Sequence, residues 1–468
     1  MPSNTTVLRG GTVVTADTET VTDVYYRDGK IVAIGNDPAL DQGAHVIDVR
    51  GKYVVPGFID GHVHLREMGY SDREDFYSGT QAAAVGGITT VMDMPNSKPN
   101  VIRPEDYIAR RERVIERAYV NIGLYVWACA KNVDFLQEFK SLGPIGFKIF
   151  TAETGAYDPE FAHYITTEPS VLYRILEQIA AIDSVAAIHS ESQSLIQHFE
   201  KYARESMPPD LRAYLYSRPQ AVEDVAVFSE VAIARQAGAR IHICHVVGKG
   251  AVDFMRWAKQ EYYSNISCEA APHNLLMNAG QTIALGSMGK FSPPVQAEDQ
   301  RQAVWDGLLD GTIDIIGSDH APQHFDKKCC ANIWQASPGS PALDYWVSLM
   351  LTCVNRGTMT MRQLVRAASE NPARVFGLYP DKGVIRVGAD ADLVVVDMDK
   401  RSTVQSASFL SKAKYTAFDG WPLEGMPVMT IVGGTLVAKD GEIVGQPGTG
   451  AIVSRESQAP AAAAEQVA

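Results

Sequence analysis

The sequence predicts an α/β protein: a (β/α)8 TIM barrel with a small β-sandwich domain formed from both chain ends. Three observations carry that expectation. Eight apolar runs of strand length alternate with amphipathic helical stretches through the middle of the chain, short alternating strands with glycine turn signals occur at both ends, and most histidines fall where the middle strands stop.

Taken in order, Thr5 to Leu8, Thr12 to Thr15, Val24 to Tyr26 and Ile31 to Ile34 read as strands punctuated by Gly10-Gly11 and Asp28-Gly29, which suggests an antiparallel sheet. The same grammar returns at Asp392 to Asp397, at Val428 to Val432 before Gly433-Gly434, and at Thr435 to Val437 before Asp440-Gly441. Between them the barrel strands are expected at Tyr53 to Leu65, Ile88 to Asn96, Val120 to Ala128, Ile145 to Phe150, Val185 to Ser190, Ile241 to Val246, Ser267 to His273 and Ile313 to Pro322. Helical periodicity fills the gaps, as in Ala221 to Ala237 and Ala297 to Leu309, and returns from Arg362 to Phe376. Residues 1–55 then form the first part of the sandwich, 56–378 the barrel, 379–447 the second part, and 448–468 a low-complexity tail expected to be disordered.

Composition narrows the chemistry. A formal net charge of -13 without a Lys/Arg run argues against a nucleic-acid surface and for a small-molecule substrate. Neither a secretory start nor an apolar run near ~18 residues is present, so a membrane location is not expected. The six cysteines have no framework spacing and suit a reducing cytoplasm.

His62 and His64 alternate on a strand and so face one side, where two imidazoles suit a divalent metal. His62, His64, Asn96, Lys148, His189, His245, His273, Asp319, His320 and His324 all lie at or just past proposed strand ends, the rim where barrel chemistry sits. Seven of the 11 histidines are in that set, where about one is expected by chance. His62, His64 and Asp319 can hold one ion, and His189 and His245 a second, with zinc the natural fit to nitrogen-rich donors. Five ligands are too few to close two sites. Lys148 carboxylated by CO2 would bridge them, the alternative being a salt-bridging lysine. Two such ions lower the pKa of a shared water, and Asp319 is placed to shuttle its proton to a leaving nitrogen, which is amide hydrolysis. His45, His163, His198 and His242 fall off this site, with His242 facing away from His245.

These residues resemble the amidohydrolase superfamily, and within it the cyclic amidohydrolases: dihydroorotases, allantoinases and hydantoinases or dihydropyrimidinases. The resemblance runs from Val55-Pro56-Gly57-Phe58-Ile59-Asp60 through Asn371-Pro372-Ala373-Arg374 to Gly388-Ala389-Asp390-Ala391-Asp392. It implies a binuclear metal centre on His62, His64, carboxylated Lys148, His189, His245 and Asp319, and a homodimer or homotetramer. His62 to Glu67 with Asp93-Met94-Pro95-Asn96 is most similar to dihydroorotases, which implies that Arg66 and Asn96 bind a substrate carboxylate; an arginine fork matches that group's two oxygens. The family's Asp-His-Ala-Pro-His is here Asp319-His320-Ala321-Pro322-Gln323-His324, so Gln323 occupies the contacting histidine's position and His324 is displaced by one. Ser217-Arg218-Pro219 with Glu223 is closer to allantoinases and hydantoinases, although the hydantoinase tyrosine beyond the bridging lysine is Glu153 here. His273 and Asn274 resemble the family's Pro-His-x-Leu segment, which implies backbone contacts to the substrate, the alternative for His273, as for His320, being a structural histidine that fixes its loop. A catalytically inactive scaffold is the remote alternative, disfavoured because every ligand position is filled.

Overall fold

The computed structural model describes residues 5–155 and 159–455. The amino-terminal stretch forms β1 (Thr6–Val14), β2 (Glu19–Arg27), β3 (Lys30–Ile34), β4 (His45–Asp48) and β5 (Tyr53–Pro56). The eight barrel strands follow: β6 (Phe58–Val63), β7 (Ile88–Asp93), β8 (Asn121–Trp127), β9 (Gly146–Phe150), β10 (Val185–His189), β11 (Arg240–Ile243), β12 (Ile266–Ala270) and β13 (Ile315–Ile316). The chain returns through β14 (Leu393–Thr403), β15 (Pro422–Val432), β16 (Thr435–Lys439) and β17 (Glu442–Ile443), and ends in β18 (Ile452–Val453).

Strands β6 to β13 pair with their neighbours in sequence order, all in parallel. A parallel bridge between Val63 and His320 joins the last strand to the first, and the His64 N–H donates to the His320 carbonyl at 2.8 Å. Every residue of β6 to β10 is buried, as strands covered on both faces require. The expected eight-strand barrel is therefore present, with every strand where the apolar runs place it.

The chain ends build a separate sheet in the order β17-β16-β15-β14-β5-β1-β2-β3, with β4 also pairing β1. It is one continuous hydrogen-bonded sheet, and β1 runs parallel to β4 and β5, so the expected antiparallel arrangement is only partly realised. Its two halves share a core that includes Leu8, Val24, Ile31, Val54, Val395 and Ile431. The turns follow their glycines. Asp28-Gly29, Gly433-Gly434 and Asp440-Gly441 all have positive φ at both residues, which suits tight hairpins. Gly10-Gly11 instead marks a bulge inside one long strand, where the β1–β2 register shifts.

The expected single strand from Tyr53 to Leu65 divides at Gly57. Tyr53–Pro56 pairs β14 in the terminal sheet and Phe58–Val63 pairs β7 in the barrel. A Cβ at Gly57 would lie 2.0 Å from Thr89 Oγ1, so only glycine lets the chain pass between the two sheets there. The expected tail also begins later than residue 448. Gly448 and Gly450 donate to the Ala118 carbonyl, and Ile452 and Val453 add a short parallel strand beside β8. Residues 456–468 lie outside the described residues. Among the described residues no helix is long and apolar enough to cross a membrane.

One buried ion pair fixes the rim loop after β6. Asp93, at the end of β7, accepts from the Leu65 N–H at 2.8 Å and from the Arg110 guanidinium, and both partners are essentially inaccessible. Removing one member of such a pair leaves the other charge stranded, so Arg110→Leu is expected to lower unfolding free energy by roughly 3 to 5 kcal/mol in chemical denaturation. A loss below about 1 kcal/mol would show that the loop is held by other contacts.

Candidate metal centre

The barrel rim gathers side chains from distant positions. His62 lies just before the end of β6, His64 just past it, His189 ends β10, and His245 and Asp319 sit just past β11 and β13. His62 Nε2 and His64 Nε2 lie 3.5 and 3.3 Å from the same Asp319 oxygen. The His62 and His245 rings are 5.3 Å apart, and His189 Nδ1 faces His245 Nε2 at 3.0 Å. His245 and Asp319 hold positive φ, at 35° and 49°, backbone conformations that non-glycine residues rarely adopt and that concentrate at functional sites.

The far nitrogens of three imidazoles are each tied to an oxygen. His62 Nδ1 meets Glu269 Oε1, His64 Nδ1 meets Asn96 Oδ1 at 2.7 Å, and His189 Nε2 meets Glu191 Oε2 at 2.8 Å. Anchoring one nitrogen fixes the tautomer and aims the other at the cluster, which is the usual support of a metal-ligating histidine. Glu269 reaches furthest. Its carboxylate also meets His242 Nε2 at 3.1 Å and accepts from the His245 N–H at 3.4 Å, joining residues of β6, β11 and β12. His242 is thus off the cluster, as its alternation requires, yet linked to His62 through that shared carboxylate.

Protonation preferences suit a cation. Burial pushes His64 down to about 3 despite the pull of Asp319, and burial likewise lowers His189 and, with its imidazole neighbours, His245. These rings are neutral donors. Burial and the Lys148 charge oppose protonation of His62, but Glu269 outweighs them and pushes it up to about 10. A metal ion on Nε2 would satisfy that demand in place of a proton. Asp319 is opposed by burial, yet His64, His62 and His245 hold it below the usual carboxylate range. The donor set therefore fits divalent ions.

Lys148 lies in the middle of β9 and is fully buried. Its Nζ donates to Cys244 Sγ at 2.9 Å, and among the described residues no carboxylate comes within 4.0 Å. The salt-bridging alternative for this lysine therefore finds no partner. His62, Cys244 and Glu269 also form a compact group, but Glu269 serves the far nitrogen of His62, whereas His62, His64 and Asp319 face the open cavity. Of the two groups, the latter is the one open to the cavity.

That cavity is lined by His62, His64, His189, His245 and Asp319 together with Arg66, Asn96 and Gln323. Arg66 is buried with φ of 59°, its Nε has no hydrogen-bond partner among the described residues, and burial together with the Arg73 charge lowers the guanidinium to about 10. Three expected substrate contacts, His324, His273 and Asn274, are not in the cavity wall. His324 does not line the cavity; the one-residue displacement turns it outward, where Nε2 pairs with Asp72 at 2.7 Å. His273 stacks on Phe291 with ring centres 4.0 Å apart, and neither it nor Asn274 lines the cavity. His320 is structural, its Nδ1 accepting from the Ala342 N–H at 3.0 Å.

Sequence reasoning missed Glu269, Glu191 and Cys244, and the lining residues Phe150, Thr154 and Ser292. A signal existed for Glu269, a lone carboxylate within an otherwise uncharged buried strand. Cys244 and Ser292 carry no such mark.

Comparison with known proteins agrees with this geometry. Residues 53–437 match the family described as Amidohydrolase family. The L-hydantoinase of Paenarthrobacter aurescens is 32% identical over 457 residues, covering 96% of this chain and 98% of that protein. The dihydroorotase of Methanothermobacter thermautotrophicus is 35% identical over 432 residues, covering 92% and 93%. Among solved structures, L-hydantoinase (dihydropyrimidinase) from Arthrobacter aurescens matches with a TM-score of 0.92 at 32% identity, over 96% of this chain and 99% of that one. Dihydropyrimidinase from Brevibacillus agri matches with a TM-score of 0.88 at 27% identity, over 96% and 98%. With the barrel, the rim cluster and full-length relatives in agreement, the chain belongs to the amidohydrolase family and is a cyclic amidohydrolase of the dihydroorotase/hydantoinase type, hydrolysing C–N bonds of cyclic amides.

Proposed function

We propose that the protein opens a cyclic ureide bearing a carboxylate, a dihydroorotase-like reaction, with Asp319 as the proton shuttle. The observation that carries this reading is the buried Arg66 guanidinium in the wall of the same cavity as the histidine cluster, without a carboxylate partner among the described residues. A buried guanidinium with an unpartnered Nε in the cavity wall can receive an anion, and a carboxylate matches its fork. A second reading, a hydantoinase-type ring without the carboxylate, is favoured by the full-length likeness to L-hydantoinase.

His62, His64 and Asp319 would hold one divalent ion, and His189 and His245 the other, with Lys148 as a carboxylated bridge. When bound, two such ions supply Lewis acidity and bring the pKa of water towards neutrality. The burial of Lys148 without a carboxylate partner among the described residues supports the bridge, since carboxylation would turn its side chain into an oxygen ligand. Asp319, kept ionised by the imidazoles around it, accepts a proton from the attacking water and returns it to the ring nitrogen as the C–N bond breaks. Arg66 and the Asn96 amide orient the ring. Zinc is the ion the nitrogen-rich donors favour, and a cytoplasmic homo-oligomer is the accompanying proposal.

Four outcomes test this reading. On a panel of dihydroorotate, hydantoin, allantoin and dihydrouracil, Arg66→Ala should raise KM by about 10²-fold for dihydroorotate and far less for rings without a carboxylate; equal losses on every ring would remove the carboxylate assignment. Asp319→Asn should lower kcat by about 10² to 10⁴-fold, and retention of full activity would instead indicate a scaffold or another shuttle. Metal analysis should find about two ions per chain in wild type and one or fewer in Lys148→Met. Loading with ¹³C-bicarbonate should give a carbamate carbon resonance in wild type alone, and its absence there would discard the bridge.

A further inference from the structure

Gln323 stands where the resemblance leads one to expect a histidine, and its surroundings determine which end of its amide meets the substrate. The Arg73 guanidinium donates to Gln323 Oε1 at 3.2 Å. The Gln323 backbone N–H donates to the Tyr415 hydroxyl at 3.0 Å, so the residue is held at both main chain and side chain. Arginine has no acceptor, which settles the amide's orientation: the oxygen faces Arg73 and the NH2 is left for the cavity that Gln323 lines. Among the described residues that nitrogen has no protein partner.

Asn96 follows the same logic. Its Oδ1 is taken by His64 Nδ1 at 2.7 Å, which leaves its NH2 without a protein partner among the described residues, in the lining of the same cavity. Arg66 adds a third group that can only donate. Three side chains from the loops after β6, β7 and β13 thus present N–H groups and no acceptor.

Resting on the proposed reading of this cavity as the substrate site, we propose that Arg73 is a positioning residue for specificity: by holding the Gln323 oxygen it completes, with Arg66 and Asn96, a donor-only wall that selects a substrate oxygen anion or carbonyl. Arg73 does not itself line the cavity. It is half-buried, lies against the Tyr70 ring at 4.4 Å, and acts through Gln323. Without it the Gln323 amide is free to rotate and offer its oxygen to the substrate, replacing attraction by repulsion. The arrangement also gives a reason why a displaced His324 is tolerated, since an N–H donor remains at the vacated position.

The test is steady-state hydrolysis of dihydroorotate and of hydantoin by wild type, Arg73→Gln, Arg73→Lys and Gln323→Glu, with circular dichroism as a check on folding. Arg73→Gln is expected to raise KM for dihydroorotate about tenfold with kcat nearly unchanged, and Arg73→Lys, which still donates to the oxygen, to restore much of that loss. Gln323→Glu, which alters no volume and keeps the site testable should an Arg73 variant fail to fold, is expected to raise KM for dihydroorotate more strongly than for hydantoin. An unchanged KM in Gln323→Glu, or an Arg73→Gln loss that falls on kcat for both rings alike, overturns the proposal. If Arg66→Ala is selective while Arg73→Gln and Gln323→Glu are silent, this inference fails and the proposed function stands. If dihydroorotate is not hydrolysed at all, the proposed function fails; the same variants are then read on the ring that is hydrolysed. A donor-only wall still requires Gln323→Glu to raise KM there through the ring carbonyl, and an unchanged value overturns it.

Discussion

An imidazole offers two nitrogens, and this site depends on restraining the one that does not face the centre. Glu269, Asn96 and Glu191 take the outer nitrogens of His62, His64 and His189, so the inner ones converge without each ring being free to turn. The barrel makes this possible because every strand is parallel and closed upon itself, which brings strand ends far apart in sequence to one rim. The anchors come from strands and loops of the same rim, so support and chemistry share a frame.

The terminal sheet has a part in this as well. Gly57 carries the chain straight from that sheet into the first barrel strand, and β14 pairs β5 immediately before it. The returning segment then reaches back over the rim: Ser411 donates to the buried Glu74 carboxylate, Lys412 pairs with Asp75 at 2.8 Å, and Tyr415 supports Gln323. The proposed substrate wall therefore draws support from residues outside the barrel, while the proposed metal-ligating set lies wholly within it.

Much of this was legible in the sequence because barrel strands buried on both faces leave long apolar runs, and because histidines at strand ends stand out against a small background. Hairpins at Asp28-Gly29, Gly433-Gly434 and Asp440-Gly441 could be read from glycine chemistry alone, whereas Gly10-Gly11 could not be told from a turn, since a bulge and a hairpin ask for the same residue. Substrate contacts were the least legible. His324 and Gln323 differ by one position, and only the loop's path decides that one faces the cavity and the other Asp72. Glu269 was visible but silent, because periodicity registers burial and not which ring a carboxylate touches.

The long reach of the carboxyl-terminal segment has a consequence for biosynthesis. A ribosome has already released every proposed ligand, from His62 to Asp319, well before β14 and Tyr415 emerge, and the lysine at position 52 waits for Asp397 to form its 2.5 Å contact. The Tyr415 hydroxyl that supports Gln323 is thus made only after every proposed ligand has been synthesised.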